Sequence, residues 1–458
     1  MSIKGGKALY QSLVEIFGRE RVSKEDFELL CYSRDAGSLL PKSPEYIVVP
    51  TSKEEIRQLL LLARREKKPV MVRGAGSSMC GAPIPRVDAS IMMDLTRMRK
   101  LIELNEDAMS VLVQAGITWT EVIDYLEKRG WELGLEGPWS APSATVGGSI
   151  SVVAISMGAA RYGGLGSQIL GLEVVLPDGE SIRTGTGANP ANRMVARDCN
   201  GIDMAGLFIG SHGTLGIITE VALKIYPLHE AEDYFAFSFS NLNNAMSALH
   251  SLAKYKIPYD TRMFVHPVPE EIGGKVGIVS MLKGRKTEIM ELGQLGRDLM
   301  KAANGKEIPD FGKTYYQGRF TARAEAFGKA GPGWLEVAGF IPIKRYPEVA
   351  TPILDYFAAR KTEIETLGVK WSLGGLLETN SVNIPMALFC NESNSEGWQK
   401  ILDYLWELTD LMFGMGVSPY WIGHLNPYWK KRVGNFYQVY ERLKKSLDPD
   451  GILNPGLL

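Results

Sequence analysis

Three glycine-rich loops, each beside a predicted β-strand, dominate the first half of the chain. They read VRGAGSSMCGAP at residues 72–83, GPWSAPSATVGGSIS at residues 137–151 and GSHGTLGII at residues 210–218. Glycine lets a backbone turn tightly and approach a ligand closely. One such loop is usually only a turn between strands, but three within roughly 150 residues favour an extended ligand that all of them contact.

The first loop matches neither common phosphate-binding template. A Rossmann fingerprint requires glycine where Met79 stands, and a Walker A loop requires Lys and then Ser or Thr after Gly81, where Ala82 and Pro83 follow. Free backbone N–H groups can still form a nest for a pyrophosphate without a lysine. The loop therefore predicts an anion site of another kind.

Length and composition narrow the class of protein. A chain of 458 residues predicts two or three domains, and a net charge of −1 without a long basic run argues against nucleic acid as the main partner. The four cysteines are far apart, which excludes an iron–sulfur or zinc site built from local cysteines and fits a reducing compartment. Since we find no apolar signal core and no run of ~20 apolar residues, we expect a cytoplasmic protein without a transmembrane segment, attached to a membrane only through a partner.

Strand and helix patterns alternate in the first part of the chain and then give way to a mixed module. Thr51 and Glu54 form a capping-box pattern ahead of a helix, and Asp178-Gly179 predicts a hairpin between two strands. After Pro227, a strand of alternating phenylalanines is followed by a helix, and the last part predicts a polar-faced helix. These patterns predict an α+β protein.

In this order the motifs resemble the FAD-binding domain of the vanillyl-alcohol oxidase superfamily, and the glycolate oxidase flavin subunit and D-lactate dehydrogenase group in particular. The motifs are YSRDAG, RGAGSSMCG, PWSAPSATVGGSIS, RYGG, LGLEVVLPDG, GSHGTLGIITEVALKIYP and LDPDGILNPG. The resemblance implies an α+β fold with a PCMH-type (p-cresol methylhydroxylase-type) FAD-binding domain of two subdomains at residues 1–228. It further implies an α+β substrate cap domain at residues 229–425 and a C-terminal segment, 426–458, that returns to the FAD domain.

The resemblance also assigns the cofactor contacts. The first loop would wrap the pyrophosphate, the second would line the pyrophosphate and flavin, and the third would lie near the adenine and ribose, with His212 as a hydrogen-bonding loop residue. The implied contact residues are Arg73, Gly74, Ala75, Gly76, Ser77, Ser78, Met79, Gly81, Pro138, Ser140, Ala144, Thr145, Gly147, Gly148, Ser151, His212, Gly213, Gly216, Ile217, Ile218 and, from the tail, Asn454. Because no residue for a covalent flavin link is evident in the first loop, we expect non-covalent FAD.

The cap region departs from the group that the chain resembles. Those enzymes carry an HxGDGNxH motif that binds a divalent metal, whereas this chain reads LETNSVNIPMALFCN there. A later SGEHGIG motif is replaced by GVSPYWIGHLNPYWKK, in which only His424 remains as a proton acceptor. With five widely spaced histidines, we expect no histidine-rich metal site.

Two residues are candidates for catalysis. Arg319 matches the cap position at which relatives place an arginine on the substrate carboxylate, which a guanidinium can bind bidentately; Arg323 is a weaker second candidate. His424 would take a hydroxyl proton while a hydride leaves for flavin N5. The alternatives are a solvated surface arginine and a hydrogen-bonded histidine in a turn.

The resemblance implies an FAD-linked oxidoreductase, a dehydrogenase that oxidises the CH–OH group of a small 2-hydroxy acid or related alcohol. Electrons would pass to a separate acceptor: an iron–sulfur subunit, an electron-transferring flavoprotein, a quinone or oxygen, and a hetero- or homo-oligomer is expected. An aromatic or phenolic alcohol oxidase stays open, since Tyr420, Trp421, Tyr428 and Trp429 would wall an aromatic pocket if they are not core residues. A non-redox alkyl-transferase and a flavin electron-relay subunit also stay open.

Overall fold

The computed structural model describes residues 3–37, 41–320 and 333–457, with the backbone alone for residues 3–8. The chain folds into two compact units. The first unit comprises the chain up to Ala154, Gln168–Tyr226 and the chain from Ile422, and the second comprises Ile155–Ser167 and Pro227–Trp421. His424, which the predicted boundaries assign to the cap, therefore lies in the first unit.

The first unit contains a small, mainly parallel sheet in which the described strands follow the order β1-β2-β4-β3. The strands are β1 (Val22–Ser23), β2 (Tyr46–Val48), β3 (Val70–Arg73) and β4 (Ile91–Asp94). The helices Ile3–Phe17 and Lys53–Glu66 bury Leu13, Ile56 and Leu60 in the same core as Val70 and Ile91. The first glycine-rich loop begins where β3 ends, so a rigid, buried strand fixes its start.

The predicted capping box at the second of these helices is wrong by one residue. Ser52 is the N-cap and accepts a hydrogen bond from the Glu55 N–H, while the Glu55 carboxylate accepts from the Thr51 N–H at 2.7 Å. Both Thr51 and Ser52 carry a suitable hydroxyl, and each has a glutamate three residues later. Sequence spacing alone could not choose between the two registers.

A second, antiparallel sheet of the first unit carries the other two loops. Among the described residues its order is β5-β6-β10-β8-β9, with β7 paired to β10. The strands are β5 (Leu101–Asn105), β6 (Ser110–Gln114), β7 (Trp131–Leu133), β8 (Ile169–Val175), β9 (Ser181–Arg183) and β10 (Ile217–Pro227). The predicted hairpin is confirmed: β8 and β9 pair across a turn at which Gly179 has a φ of 87°.

Helices and the chain's tail complete the first unit. Its further helices are Asp26–Cys31, Trp119–Glu127, Val146–Val152, Ala205–Phe208, Asn426–Lys430 and Asn435–Leu447. Beyond the last helix, the tail runs alongside β3: the Val70 N–H donates to the Ile452 carbonyl at 2.8 Å, and the Asn454 N–H donates to the Val70 carbonyl at 2.9 Å. This pairing returns the C-terminal segment to the start of the first loop.

The second unit is an antiparallel sheet with helices, in line with the α+β pattern of the sequence. Within the described part of the chain the sheet has the order β14-β11-β13-β12-β16-β17-β15-β18. The strands are β11 (Ala231–Phe239), β12 (Asp260–His266), β13 (Val276–Gly284), β14 (Lys306–Glu307), β15 (Gly333–Pro342), β16 (Lys370–Glu378), β17 (Ser381–Cys390) and β18 (Ser418–Pro419). The helices are Ala159–Tyr162, Leu242–Lys254, Lys286–Ala302, Phe311–Gln317, Tyr346–Ala358, Lys361–Thr366 and Ser395–Gly414. No helix among the described residues is long and apolar enough to span a membrane.

Candidate cofactor site

The first glycine-rich loop leaves a run of backbone donors unused. Within the described residues, none of the N–H groups of residues 74–78 donates to a protein acceptor. Ala75 is exposed and the other four residues are half-buried, so these N–H groups are open to an acceptor that the chain itself does not supply, water or a ligand. Successive free N–H groups form a concavity that suits an anion.

Arg73 shapes this loop from beneath. Its guanidinium lies under Gly76, where an added Cβ would approach it closer than 3.0 Å, and the φ of 69° at Gly76 also favours glycine. The arginine donates to the Arg34 carbonyl at 2.6 Å and stands 5.2 Å from the Tyr32 ring centroid. Its side chain therefore supports the turn, while the backbone faces outward.

Asp35, in the YSRDAG motif, closes the end of the same loop. Its carboxylate accepts from the Gly81 N–H at 2.7 Å and from the Gly37 N–H at 2.9 Å. Burial raises the pKa of Asp35 to about 6, although these two hydrogen bonds oppose the shift. Sequence reasoning used this motif for the resemblance but gave the carboxylate no role.

The second loop packs directly on the first. Thr145 is the N-cap of the helix Val146–Val152 and accepts from the Gly148 N–H at 3.2 Å. A Cβ added to Gly74 would approach Thr145 Oγ1 closer than 3.0 Å, and one added to Gly148 would lie 4.0 Å from Gly74 Cα. Glycine is required at Gly74 because the Thr145 side chain occupies the space of a Cβ, not because of a special φ.

The other predicted residues of the second loop bond within the protein. The Pro138 carbonyl accepts from the Ala141 N–H at 2.8 Å, and the Ser140 carbonyl accepts from the Ala144 N–H at 2.7 Å, so this stretch is a tight turn. Gly147 packs against Ala115, where an added Cβ would stand 2.5 Å from the alanine Cβ. The Ser151 hydroxyl donates to the carbonyl of Gly147 at 2.9 Å, which commits the hydroxyl proton to the helix.

The third loop joins the end of that helix. The Gly210 N–H donates to the Ile150 carbonyl at 3.0 Å, and the His212 N–H donates to the Ser151 carbonyl at 2.9 Å. His212 has a left-handed φ of 52° and is buried; its Nδ1 finds no hydrogen-bond partner in the described part of the chain. Burial, with the Arg86 charge as a smaller cause, lowers the pKa of His212 to about 4, so the imidazole is neutral at pH 7.

Asn454 closes the arrangement into a ring. Its Nδ2 donates to the His212 carbonyl at 2.7 Å, and its Oδ1 accepts from the Val72 N–H at 2.9 Å. A Cβ added to Gly213 would lie 2.8 Å from Asn454 Nδ2, so the tail and the third loop are in close contact. The first loop thus touches the second, the second touches the third, the third touches the tail, and the tail touches the strand that starts the first.

The end of the third loop belongs to the sheet. Gly216 packs on β8, where an added Cβ would lie 2.6 Å from Val174 Cγ1, and Ile217 and Ile218 begin β10 as buried residues. They hold the loop in place through the core. Of the predicted third-loop contacts, His212 and Gly213 are the ones that lie in the ring.

These features fit a phosphorylated cofactor. The ring offers backbone donors to an anion at residues 74–78, a buried unpaired nitrogen at His212 Nδ1, and glycines that keep side chains out of the space between backbones. Orphaned polar atoms of this kind are costly unless a ligand or water satisfies them. The site therefore has the donor set that a pyrophosphate requires.

His424 sits on the first loop. It lies in the short turn Gly423–Leu425, its backbone N–H donates to the Cys80 carbonyl at 2.9 Å, and its Nδ1 stands 3.1 Å from the same oxygen. Burial, opposed by this hydrogen bond, lowers the pKa of His424 to about 4. The histidine is therefore neutral at pH 7, in contrast to the near-neutral pKa that a free histidine would have. Burial raises the pKa of Cys80 to about 11, which keeps that thiol protonated.

Arg319 lies in the second unit. Its Nη1 donates to the Tyr316 carbonyl at 3.1 Å, and the guanidinium stands 5.2 Å from the Phe320 ring centroid. The side chain is half-buried against its own turn. Arg323 lies outside the described residues.

The second unit also holds a buried polar group that sequence reasoning missed. Arg262 donates to both oxygens of Asp260, at 2.7 and 3.1 Å, and the Tyr316 hydroxyl donates to the same carboxylate at 2.9 Å. Asp260 and Arg262 are two apart on β12, and this spacing puts both side chains on one face of a strand. The i, i+2 charge pair was the signal that could have revealed it.

The four predicted aromatic residues are divided between the units. Tyr420 and Trp421 lie in the second unit, where Tyr420 is 6.0 Å from the Phe340 ring and Trp421 Nε1 is buried without a partner in the described chain. Tyr428 and Trp429 lie in the first unit, where Trp429 packs edge-on to Phe436. No group of three or more metal-ligating side chains occurs in the parts of the chain that the structure describes.

Residues 44–185, which include the first two loops, match the family described as FAD binding domain. This part of the chain is similar to an FAD binding domain. FAD contains a pyrophosphate, so the match agrees with the donor set of the ring. The predicted cofactor is therefore supported as FAD.

Relatives extend the likeness over the rest of the chain. Glycolate oxidase subunit GlcD of Bacillus subtilis is 28% identical over 251 residues, which are 55% of this chain and 52% of that protein. The chain thus spans about half the length of that relative. Alkyldihydroxyacetonephosphate synthase of Dictyostelium discoideum is 25% identical over 459 residues, covering 91% of this chain and 73% of that protein. The predicted resemblance to the glycolate oxidase and D-lactate dehydrogenase group is confirmed.

A solved structure supports the fold outside the FAD domain. The structure of p-cresol methylhydroxylase with substrate bound superposes with a TM-score of 0.85 at 18% identity, covering 100% of this chain and 97% of that one. At 18% identity the similarity shows a shared fold and nothing about the reaction. The predicted α+β, PCMH-type fold is confirmed.

Proposed function

We propose that this protein is an FAD-dependent oxidoreductase that oxidises the CH–OH group of a small 2-hydroxy acid or related alcohol and passes the electrons to a separate acceptor. The observation that carries the proposal is the ring of three loops and tail, with unpaired N–H groups at residues 74–78, inside a chain that matches an FAD binding domain. Bound FAD would supply the two-electron acceptor, at its N5 atom.

The binding of FAD is proposed to be non-covalent. The first loop would hold the pyrophosphate by backbone donation from residues 74–78, which needs no lysine. His212 would offer its neutral Nδ1 to the cofactor, and Asn454 would hold the loops in register. Precipitation of the holoprotein with acid tests this: free flavin in the supernatant is expected, and flavin that stays with the pellet contradicts it.

His424 is proposed as the proton acceptor. If its Nδ1–H donates to the Cys80 carbonyl, the tautomer is fixed and Nε2 carries the lone pair. The two bonds to Cys80 hold the imidazole in one orientation; the lowered pKa keeps it neutral at pH 7 and also makes it a weaker base than an ordinary histidine. A neutral imidazole can take a hydroxyl proton on this lone pair as the hydride leaves.

Arg319 is proposed to bind the substrate carboxylate. Arg262 donates to both oxygens of Asp260, while Arg319 is half-buried and its Nη1 donates to a neutral oxygen, the Tyr316 carbonyl. Charge-assisted bonds to a carboxylate are stronger than a bond to a neutral carbonyl. The named activity of the glycolate oxidase relative supports this substrate class.

An aromatic or phenolic alcohol is the second candidate substrate. In the second unit, Asn383 on β17 lies opposite Phe340 on β15, and Phe340 contacts Tyr420. Asn383 Nδ2 and Trp421 Nε1 are buried donors without an acceptor among the described residues. Aromatic side chains with two donors would suit an aromatic substrate that carries an oxygen.

Flavin absorbance under anaerobic conditions separates the candidates. The holoprotein would be mixed with glycolate, D-lactate, D-2-hydroxyglutarate or a phenolic alcohol. Bleaching by a hydroxy acid is expected; bleaching by the phenol alone favours the second candidate. Failure of all four, with flavin reduction by a partner protein, favours an electron relay. Failure with any reductant except dithionite favours a non-redox activity, the class to which the alkyldihydroxyacetonephosphate synthase relative belongs by name.

Matched variants connect the result to the residues. In His424→Gln, flavin bleaching by the hydroxy acid should slow by ~10²- to 10⁴-fold, the usual range for loss of a general base. In Arg319→Gln, the concentration of hydroxy acid needed for half-maximal bleaching should rise, and a substrate without a carboxylate should be unaffected. Arg129→Gln, an exposed arginine of the first unit, is the control that should change neither.

A further inference from the structure

Arg86 is a half-buried cation without an ion-pair partner among the described residues. It follows the first loop, and its Nη2 donates to the Gly81 carbonyl at 3.2 Å. Its Nε is buried and finds no acceptor in the described chain, and no carboxylate there lies within ion-pair distance of the guanidinium. Burial lowers the pKa of Arg86, which means that its surroundings disfavour the charge.

The groups around Arg86 do not neutralise it. Asp35 is the carboxylate that acts on it electrostatically, but the oxygens of Asp35 accept from the backbone of Gly37 and Gly81. Arg86 itself helps to lower the pKa of His212 and of His424, so both imidazoles near it are neutral. The hydrogen bond that the described residues give this guanidinium is to a neutral oxygen, the Gly81 carbonyl.

Its position is fixed by the same parts that form the ring. Arg86 is tied to the Gly81 carbonyl and His424 to the carbonyl of Cys80, the preceding residue of the loop. On the other side, a Cβ added to Gly456 in the tail would lie 3.3 Å from Arg86 Cβ. The buried Nε of this guanidinium has no acceptor among the described residues, and a buried donor without a partner is costly.

We propose that Arg86 binds an oxyanion, a phosphate or a carboxylate, beside the end of the first loop. A guanidinium suits either group because its planar fork can donate two parallel hydrogen bonds. Two sources share this chemistry: the pyrophosphate of FAD and the carboxylate of a small substrate acid. The naming of these two sources rests on the proposed function, whereas the presence of an anion at Arg86 does not depend on it.

Paired titrations test the proposal and distinguish the sources. The apoprotein would be titrated with FAD and with riboflavin, which lacks the phosphates, and the holoprotein with oxalate as a carboxylate probe. If the pyrophosphate is the anion, Arg86→Gln should raise the Kd for FAD by ~10- to 100-fold, the range for a lost charge-assisted bond. The Kd for riboflavin should not change. If the substrate carboxylate is the anion, the Kd for oxalate should rise by a similar factor and the Kd for FAD should not change.

Arg129→Gln is the matched control, because Arg129 is exposed and donates only to a carbonyl of its own helix. Arg86→Gln behaving like this control in all titrations overturns the proposal. A loss shared equally by FAD and riboflavin, without a change in oxalate binding, indicates a structural role and also overturns it. FAD binding by the unsubstituted protein is measured first, so failure of the FAD proposal is seen separately.

If Arg86→Gln does not fold, the proposal is tested instead by measuring the Tm of the apoprotein. Inorganic pyrophosphate or oxalate should raise the Tm of the unsubstituted apoprotein, and the rise should be smaller in Arg86→Lys, which keeps the charge but loses the bidentate fork. No rise with either anion, or equal rises in the two proteins, contradicts the proposal.

Discussion

The contact between Gly74 and Thr145 makes a prediction that a double-mutant cycle can test. In Gly74→Ala the new Cβ would approach Thr145 Oγ1 closer than 3.0 Å, so the first and second loops must move apart. Overpacking of this kind costs ~1–3 kcal/mol. The displacement also misaligns the N–H groups of residues 74–78, and we expect the Kd for FAD to rise by about tenfold or more, the equivalent of ~1.4 kcal/mol.

The partner substitution should remove most of that penalty. In Thr145→Ala the N-cap bond from the Gly148 N–H is lost, at a cost of ~1 kcal/mol. Without Oγ1, the closest atom of residue 145 to the new Cβ is its own Cβ, at 3.5 Å, an ordinary contact. The double variant should therefore be about as stable as Thr145→Ala alone, with a coupling energy of ~1–3 kcal/mol.

Urea unfolding of the four apoproteins gives the free energies, and quenching of flavin fluorescence gives the Kd for FAD. Gly414→Ala is the control, because a Cβ there meets nothing within 4 Å and the residue ends a helix. It should be neutral or slightly stabilising. Additive effects of the two substitutions, to within ~0.5 kcal/mol, would refute the reasoning. So would a Gly74→Ala variant as stable as the control.

The remaining predictions concern the tail and pH. Asn454→Ala should lower the free energy of unfolding of the apoprotein by ~2–4 kcal/mol, because the Val72 N–H and the His212 carbonyl lose their hydrogen-bond partner. Asn304→Ala, at a similar left-handed φ but at an exposed residue, should lower it by only ~1 kcal/mol. Equal losses in urea unfolding would contradict a structural role for the two hydrogen bonds of Asn454. Stability should fall as pH falls from 6.5 to 4, because His212 and His424 have a folded pKa of about 4, below the ordinary 6.5, and the unfolded state binds more protons in that window. Each histidine contributes ~3 kcal/mol to this loss, while Asp35, whose pKa is raised to about 6, opposes it by a similar amount. His424→Gln should flatten the profile, and a wild-type stability that rises on acidification would speak against buried, neutral histidines.

The sequence indicates the three loops because their glycine pattern is local, while their contacts with a cofactor stay a prediction. Gly74, Gly147 and Gly213 leave no room for a Cβ beside a neighbouring residue, and a glycine-rich stretch is visible in a single chain. The position of Asn454 came from the resemblance, and its two hydrogen bonds join residues more than 200 positions apart. Periodicity and spacing carry no information about such contacts.

The positions of the catalytic candidates were harder to predict, because they depend on contacts between residues far apart in the sequence. The prediction placed His424 with the cap, but its bonds to Cys80 join residues 344 positions apart and fix it in the first unit. Arg86 was missed because a single arginine between prolines and a valine looks like a surface residue. Its buried, unpaired Nε and the lack of a carboxylate partner among the described residues make it distinctive, and only the folded protein reveals them.

Hydrogen–deuterium exchange tests the central claim most directly. The unpaired amides of residues 74–78 should exchange rapidly in the apoprotein and become strongly protected when FAD is added, together with the third loop around His212. Riboflavin, without a pyrophosphate, should protect residues 74–78 much less. FAD binding that leaves the exchange of these amides unchanged would contradict the account, because the cofactor would then lie elsewhere.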